Sequence, residues 1–316
     1  MIPLHTLDKT QAPSQDAAEG RSWAASASRA FKGGVAMRSL RSAVSLVLAL
    51  LVVAALSGGA AAAKTRIAFS SLNQAKPYKV SGTLYLPEHT SGPCPAIVLI
   101  HGTSGIDSRG ALYRGPLLNA GIAVFEVDFK SGVYTSTTDR PPNDYFLPAA
   151  FAALLELRKL PGIDHDRIAI MGFSMGGGIT VRTALEDNRK AWMGSEKGFA
   201  AHVAFYPGCR FIIPKAEHAS GVTGAPMIIF YGTDDAYGDG KAAPELKLLL
   251  HDKFKFDVVT VEYPGATHGF NLNGGPITYF DPAAIEGKGY MKWDPDATKD
   301  SLTKVVAFLR EHLLPK

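Results

Sequence analysis

From Lys64 to the C-terminus, short apolar runs rich in β-branched residues alternate with longer stretches whose apolar positions recur every three to four residues. The short runs predict strands at 80–86, 96–100, 123–129, 168–173, 201–206, 227–231 and 258–263. Several are apolar almost throughout, as strands covered on both faces should be. The longer stretches predict helices at about 109–119, 143–159, 176–186, 244–251 and 296–314. Strands alternating with helices imply one α/β domain over 64–316, a mostly parallel sheet of about eight strands with helices on both faces. No repeat, low-complexity tract or linker divides that span.

The N-terminal part follows a different pattern. After Met37, Arg38 and Arg41, residues 43–56 are apolar except for Ser45, and a small-residue tail ends at Ala63. A short basic region, an apolar core of this length and an Ala-x-Ala site predict a secretory signal peptide over 37–63, cleaved after Ala63. The apolar core is shorter than the ~20 residues that span a bilayer. The mature chain is therefore expected to be secreted or periplasmic, with no membrane association. Residues 1–36 show no apolar periodicity and predict a disordered upstream segment, with translation starting at Met37.

Composition narrows the function classes. Of 33 Lys and Arg against 29 Asp and Glu, six and three fall in residues 1–63, leaving 27 against 26. That balance gives no basic surface for nucleic acid. Two cysteines exclude a Cys-rich zinc module. Cys94 precedes a predicted strand and Cys209 follows one, so a disulfide between them is not expected. No metal site and no cofactor motif stand out; the stretch 235–240 lacks the ligand spacing of a calcium loop.

The chemistry centres on Gly172-Phe173-Ser174-Met175-Gly176, a G-x-S-x-G motif with a predicted strand before it and a helix after it. A serine there sits on a tight strand-to-helix turn with its hydroxyl above the sheet. A hydroxyl needs a base, and the base needs an orienting carboxylate. The strand 227–231 runs into Gly232-Thr233-Asp234-Asp235, and the strand 258–263 into Pro264-Gly265-Ala266-Thr267-His268-Gly269. Both groups fall at C-terminal strand ends, where open α/β sheets meet their ligands, in the chain order Ser, Asp, His. The candidate catalytic residues are Ser174, Asp235 and His268. Asp235 is preferred to Asp234 by its G-x-x-D spacing, and Asp239 is read as a solvated loop residue. His101, which opens His101-Gly102-Thr103-Ser104-Gly105, is read as shaping a loop rather than as the base. The backbone N–H groups of Met175 and Thr103 are the candidate oxyanion donors, with Ser104 as the alternate second donor. The segments 130–142 and 269–293 are the candidate specificity elements. The latter is long for a loop and holds Tyr279, Phe280, Tyr290 and Trp293.

At these residues the chain resembles the dienelactone hydrolase family within the α/β-hydrolase fold, over about 77–315. The carrying stretches are 166–177, 199–209 and 263–270, including Gly172-Phe173-Ser174-Met175-Gly176-Gly177 and Ala266-Thr267-His268-Gly269-Phe270. The resemblance implies a Ser/Cys–Asp–His triad, carried by Ser174, Asp235 and His268. It also marks departures. Dienelactone hydrolases proper have a cysteine nucleophile where this chain has Ser174. They have an acid on the first catalytic loop where it has Gly102, and a substrate-carboxylate arginine where it has Leu272. The expectation is a serine esterase cleaving small-molecule carboxylic esters rather than dienelactone. A serine peptidase of the same fold and a non-catalytic binding protein are the alternatives.

Overall fold

The structure, a computed structural model, describes residues 64–90, 92–136 and 139–315. The expectations for 1–36 and 37–63 lie outside the described residues. Eight strands form one sheet: β1 (Lys64–Ser70), β2 (Lys79–Tyr85), β3 (Cys94–Ile100), β4 (Ala123–Asp128), β5 (Ile163–Phe173), β6 (His202–Phe205), β7 (Met227–Gly232) and β8 (Val259–Tyr263). Their order is β1-β2-β4-β3-β5-β6-β7-β8. The pairs β1/β2 and β2/β4 are antiparallel, and every pair from β4 to β8 is parallel.

The central strands show why continuous apolar runs were the right signal. All seven residues of β3 are buried. Successive side chains point to opposite faces, so Ala96, Val98 and Ile100 enter one core while Ile97 and Leu99 enter another. The helices α1 (Ser108–Asn119) and α7 (Pro295–Leu313) bury Tyr113, Leu117, Val305 and Leu309 in the second core. On the other face, α2 (Leu147–Arg158) and α3 (Met175–Thr183) bury Phe151, Leu154 and Ile179 in the first. Beyond them, α4 (Glu186–Met193), α5 (Ile213–His218) and α6 (Asp239–Phe254) follow in chain order. Ala216 of α5 and Ala242, Leu246 and Leu250 of α6 pack with Met227, Ile229 and Tyr231 of β7.

Several expectations are corrected. Asp164, His165 and Asp166, read as a loop, lie within β5, whose first residue, Ile163, pairs with Cys94 before the register shifts and pairing resumes at Ile168. The helix expected over 176–186 breaks at Ala184 and Leu185 into α3 and α4. The segment 269–293 contains a hairpin of β9 (Ile277–Phe280) and β10 (Lys288–Met291). Asp239 opens α6 and is fully buried. Among the described residues no helix is long and apolar enough to cross a membrane.

Candidate active site

Ser174 follows the last residue of β5 and caps α3, with φ 52° and ψ −112°. No L-residue adopts this backbone without strain, and the neighbouring glycines explain how the turn is built. A Cβ on Gly172 would lie 2.2 Å from the backbone of Gly176. One on Gly176 would lie 2.5 Å from the Ile100 carbonyl, and one on Gly177 2.5 Å from that of Phe205. The start of α3 thus presses on the ends of both β3 and β6. The Ser174 N–H donates to the Phe205 carbonyl at 3.0 Å, fixing the turn against β6.

The loops after β7 and β8 are fastened to each other. A Cβ on Gly232 would strike the Ala266 carbonyl at 2.0 Å. The Asp234 N–H donates to that carbonyl, the Thr233 N–H donates to Tyr263, and the Thr233 hydroxyl accepts the Gly265 N–H. This clamp brings the Asp235 carboxylate to His268. Asp235 Oδ2 lies 2.8 Å from His268 Nδ1, and its Oδ1 accepts the Tyr237 N–H at 2.7 Å. With a carboxylate as partner, Nδ1 carries the proton, which leaves Nε2 to accept from Ser174 Oγ at 2.8 Å. Asp235 and His268 are buried, whereas Ser174 is half-exposed. Asp234 remains outside, exposed, and accepts from the Thr233 hydroxyl.

The candidate oxyanion donors belong to two neighbouring segments. Met175 begins α3, so its N–H precedes the helix's own hydrogen bonds. Thr103 lies in the turn closed by the Gly105 N–H to the Gly102 carbonyl. The Tyr134 hydroxyl ties the two together, donating to the Thr103 carbonyl at 2.8 Å and touching Met175 Sδ at 3.8 Å. His101 has the shaping role expected of it. Its Nε2 accepts the Phe129 N–H at 2.9 Å, and its Nδ1 donates to the Gly102 carbonyl at 2.6 Å. It therefore joins the ends of β3 and β4 and is spoken for at both nitrogens.

Sequence reasoning missed three residues around His268. Tyr206, at the end of β6 with φ 36°, packs its ring against the imidazole at 4.7 Å between centroids. Its hydroxyl donates to Asn271 and accepts from Arg109 Nη1 at 3.1 Å. Arg109 is itself buried and paired with Asp107. Tyr237 also packs its ring against the imidazole, at 4.4 Å between centroids. The C-terminal position of Tyr206 on its strand was a usable signal; nothing in the sequence marked Arg109. Asp239 accepts the N–H groups of Gly208 and Cys209. Burial, and then the nearby Asp235 charge, push its carboxyl up to about 7 against those two donors. Cys94 and Cys209 are both buried free thiols. Among the described residues no cluster of metal-ligating side chains occurs. A hollow of about 520 Å³ lined by Arg158, Glu186, Arg189, Phe199 and Thr223 lies near the N-terminal ends of β6 and β7, away from Ser174.

Comparison with known proteins gives matches of two kinds. Esterase FrsA of Photorhabdus laumondii is 30% identical over 112 residues, 35% of this chain and 26% of that protein. The corresponding esterase of Vibrio vulnificus is 30% identical over 116 residues, again 26% of its length. The chain thus spans about a quarter of these curated relatives. Among solved structures, a dienelactone hydrolase-like promiscuous phosphotriesterase from metagenomic libraries superposes with a TM-score of 0.57 at 19% identity, covering 79% of this chain and 99% of its own. A thermophilic carboxylesterase cloned from a metagenomic library gives 0.56 at 16% identity, covering 84% and 94%. These likenesses establish the α/β-hydrolase fold. The model of the dienelactone hydrolase family matches residues 80–313, and the chain belongs to that family.

Proposed function

We propose that this chain hydrolyses carboxylic esters of small molecules through an acyl-enzyme. Ser174 Oγ attacks the ester carbonyl while His268 Nε2 takes its proton, and Asp235 holds the imidazole in the Nδ1–H form and balances the imidazolium. The oxyanion is received by the N–H groups of Met175 and Thr103. His268 then protonates the departing alcohol. The same base draws a proton from water, which attacks the acyl carbonyl and releases the acid and free Ser174.

The observation that carries this reading is the unbroken line from Asp235 to His268 to Ser174, 2.8 Å at each step. It ends on a hydroxyl held on a strained turn. A serine supported by a base is suited to hard acyl carbons, and the family's cysteine is absent here. The test is a panel of p-nitrophenyl esters with a fluorophosphonate probe and peptide mapping of the adduct. Turnover with labelling at Ser174, both lost in Ser174→Ala, is the expected result. Peptide anilides cleaved in preference to every ester would favour a peptidase. Neither turnover nor labelling in the wild type would end the proposal. The segment 37–63 supports export, and a mature N-terminus at Lys64 from secreted or periplasmic protein is the outcome that checks it.

A further inference from the structure

The imidazole of His268 has hydrogen bonds at both nitrogens, but hydrogen bonds alone leave a ring free to tilt about the line joining them. Two aromatic rings pack against it, Tyr206 at 4.7 Å in an edge arrangement and Tyr237 at 4.4 Å in a tilted one. The two walls are anchored in different ways. Tyr206 is fully buried and fixed by Arg109 and Asn271, deep in the domain. Tyr237 is half-buried, and its hydroxyl is held by the hairpin: it donates to Asp281 at 2.5 Å and meets the Tyr279 hydroxyl at 3.1 Å.

That hairpin belongs to the His268 loop. Met291 of β10 forms a bridge with His268, and the Ile285 N–H donates to the Ala236 carbonyl at 2.9 Å, one residue from Tyr237. Tyr279 lies directly over Gly289, where a Cβ would meet its ring at 2.1 Å. A side chain at 289 would push Tyr279 away from Tyr237. Burial, reinforced by the Asp281 and Tyr279 hydrogen bonds, holds the Tyr237 hydroxyl protonated far above its ordinary range. The Tyr237 hydroxyl thus stays a donor to the Asp281 carboxylate.

We propose that Tyr237 is a positioning residue for the base: its ring is the outer wall of an aromatic slot around His268, and β9–β10 holds that wall in place through Asp281 and Tyr279. The slot does two things. It keeps Nε2 aimed at Ser174 between turnovers. It also sets two aromatic rings against the imidazolium formed when Ser174 loses its proton, a contact strengthened by the burial of His268. The hairpin thereby sets how well the base is held. This inference rests on the ester-hydrolase reading for its kinetic consequences, but its structural content does not.

The test compares Tyr237→Leu, Tyr237→Phe and Asp281→Ala in the full mature chain. Tyr237→Leu removes the wall and is expected to lower kcat about 30-fold with KM changed less than about threefold, the size of a lost cation–π contact in a dry site. Tyr237→Phe and Asp281→Ala keep the ring but loosen its tether, and each is expected to lower kcat about three- to tenfold. The substrate-free readout is the downfield proton resonance of His268 Nδ1–H, sharp in the wild type, broadened in the two tether variants and lost in Tyr237→Leu. A Leu variant with wild-type kcat and resonance overturns the slot. If that variant does not fold, wild-type kcat and resonance in both tether variants overturn the hairpin's role. A wild type that cleaves no ester refutes the esterase reading, and the resonance comparison then decides the slot by itself.

Discussion

The backbone at Ser174 offers a measurement that separates chemistry from stability. Ser174→Ala and Ser174→Gly both remove the hydroxyl and the bond to His268, so they differ only in the Cβ. Ser174 caps α3 without a side-chain capping bond, so neither variant loses a cap. At an ordinary loop position alanine would be favoured over glycine by ~0.4–1 kcal/mol, because it narrows the unfolded ensemble. At φ 52° and ψ −112° the Cβ is instead held in a conformation costing on the order of 1–3 kcal/mol, which glycine does not suffer. The difference leaves Ser174→Gly more stable than Ser174→Ala by roughly 1–2 kcal/mol, or about 2–8 °C in Tm for a domain of this size. Urea titration of both variants at pH 7, with m held common, measures it. Both are expected to lose at least ~10³-fold in kcat. An alanine variant as stable as the glycine variant, or more so, would show that the turn is not strained and that the geometry argued for the nucleophile is wrong.

Three further outcomes follow from the same geometry. Asp235→Asn should lower kcat by about 10³–10⁴-fold through loss of the imidazole's tautomer control, while Asp234→Asn, whose carboxylate faces solvent, stays within about twofold; similar losses in both would mean the wrong aspartate has been assigned. Tyr134→Phe removes the hydroxyl that steadies the Thr103 carbonyl, and about a tenfold fall in kcat at nearly constant KM is expected, against the larger loss seen when an oxyanion donor itself is removed; an unchanged kcat would free Tyr134 of that role. Asp239 has a folded value of about 7 against 3.8 for a free carboxyl, so it favours the fold while protonated, and that contribution is lost as pH rises through about 7. The Tm of Asp239→Asn relative to wild type should therefore climb between pH 5 and 8, and a flat difference would contradict the burial argument.

Most of the parallel sheet was legible because β3, β5 and β7 are covered on both faces and so carry apolar runs that no exposed segment matches. The edge was not. β1 is exposed at five of its seven positions, and an exposed edge strand leaves little hydrophobic pattern. The hairpin β9–β10 was hidden for the same reason: Thr278, Phe280, Lys288 and Tyr290 face outward, and its inward contacts are made by Tyr279 with a glycine opposite. Asp239 was misjudged because a charged residue in a Gly-rich loop ordinarily faces water; here two backbone N–H groups and the first turn of α6 enclose it. The candidates Ser174, Asp235 and His268 could be named from the G-x-S-x-G motif, the strand ends and the chain order. The Tyr237 ring beside His268 could not, since a tyrosine at a loop position carries no mark of which ring it will touch.

One departure from the dienelactone hydrolases proper, the glycine at 102, fits the packing of Arg109. A Cβ on Gly102 would lie 2.9 Å from Arg109 Nη2, so the space that an acid would occupy in the family is filled by a guanidinium. That guanidinium is committed to Asp107 and to the Tyr206 hydroxyl, and Tyr206 in turn walls His268. An acid at Gly102 would compete for Arg109 and draw it from Tyr206, giving a serine nothing in exchange, because the hydroxyl is served by His268. Gly102→Glu is accordingly expected to keep the fold and lower kcat about tenfold, the scale of loosening one buried hydrogen-bonded support of the base. Circular dichroism and ester turnover measure the two. If the acid were instead to raise turnover, the base would not depend on the Arg109–Tyr206 contact. The glycine would then be a mere deletion of the family's acid rather than the counterpart of a buried arginine.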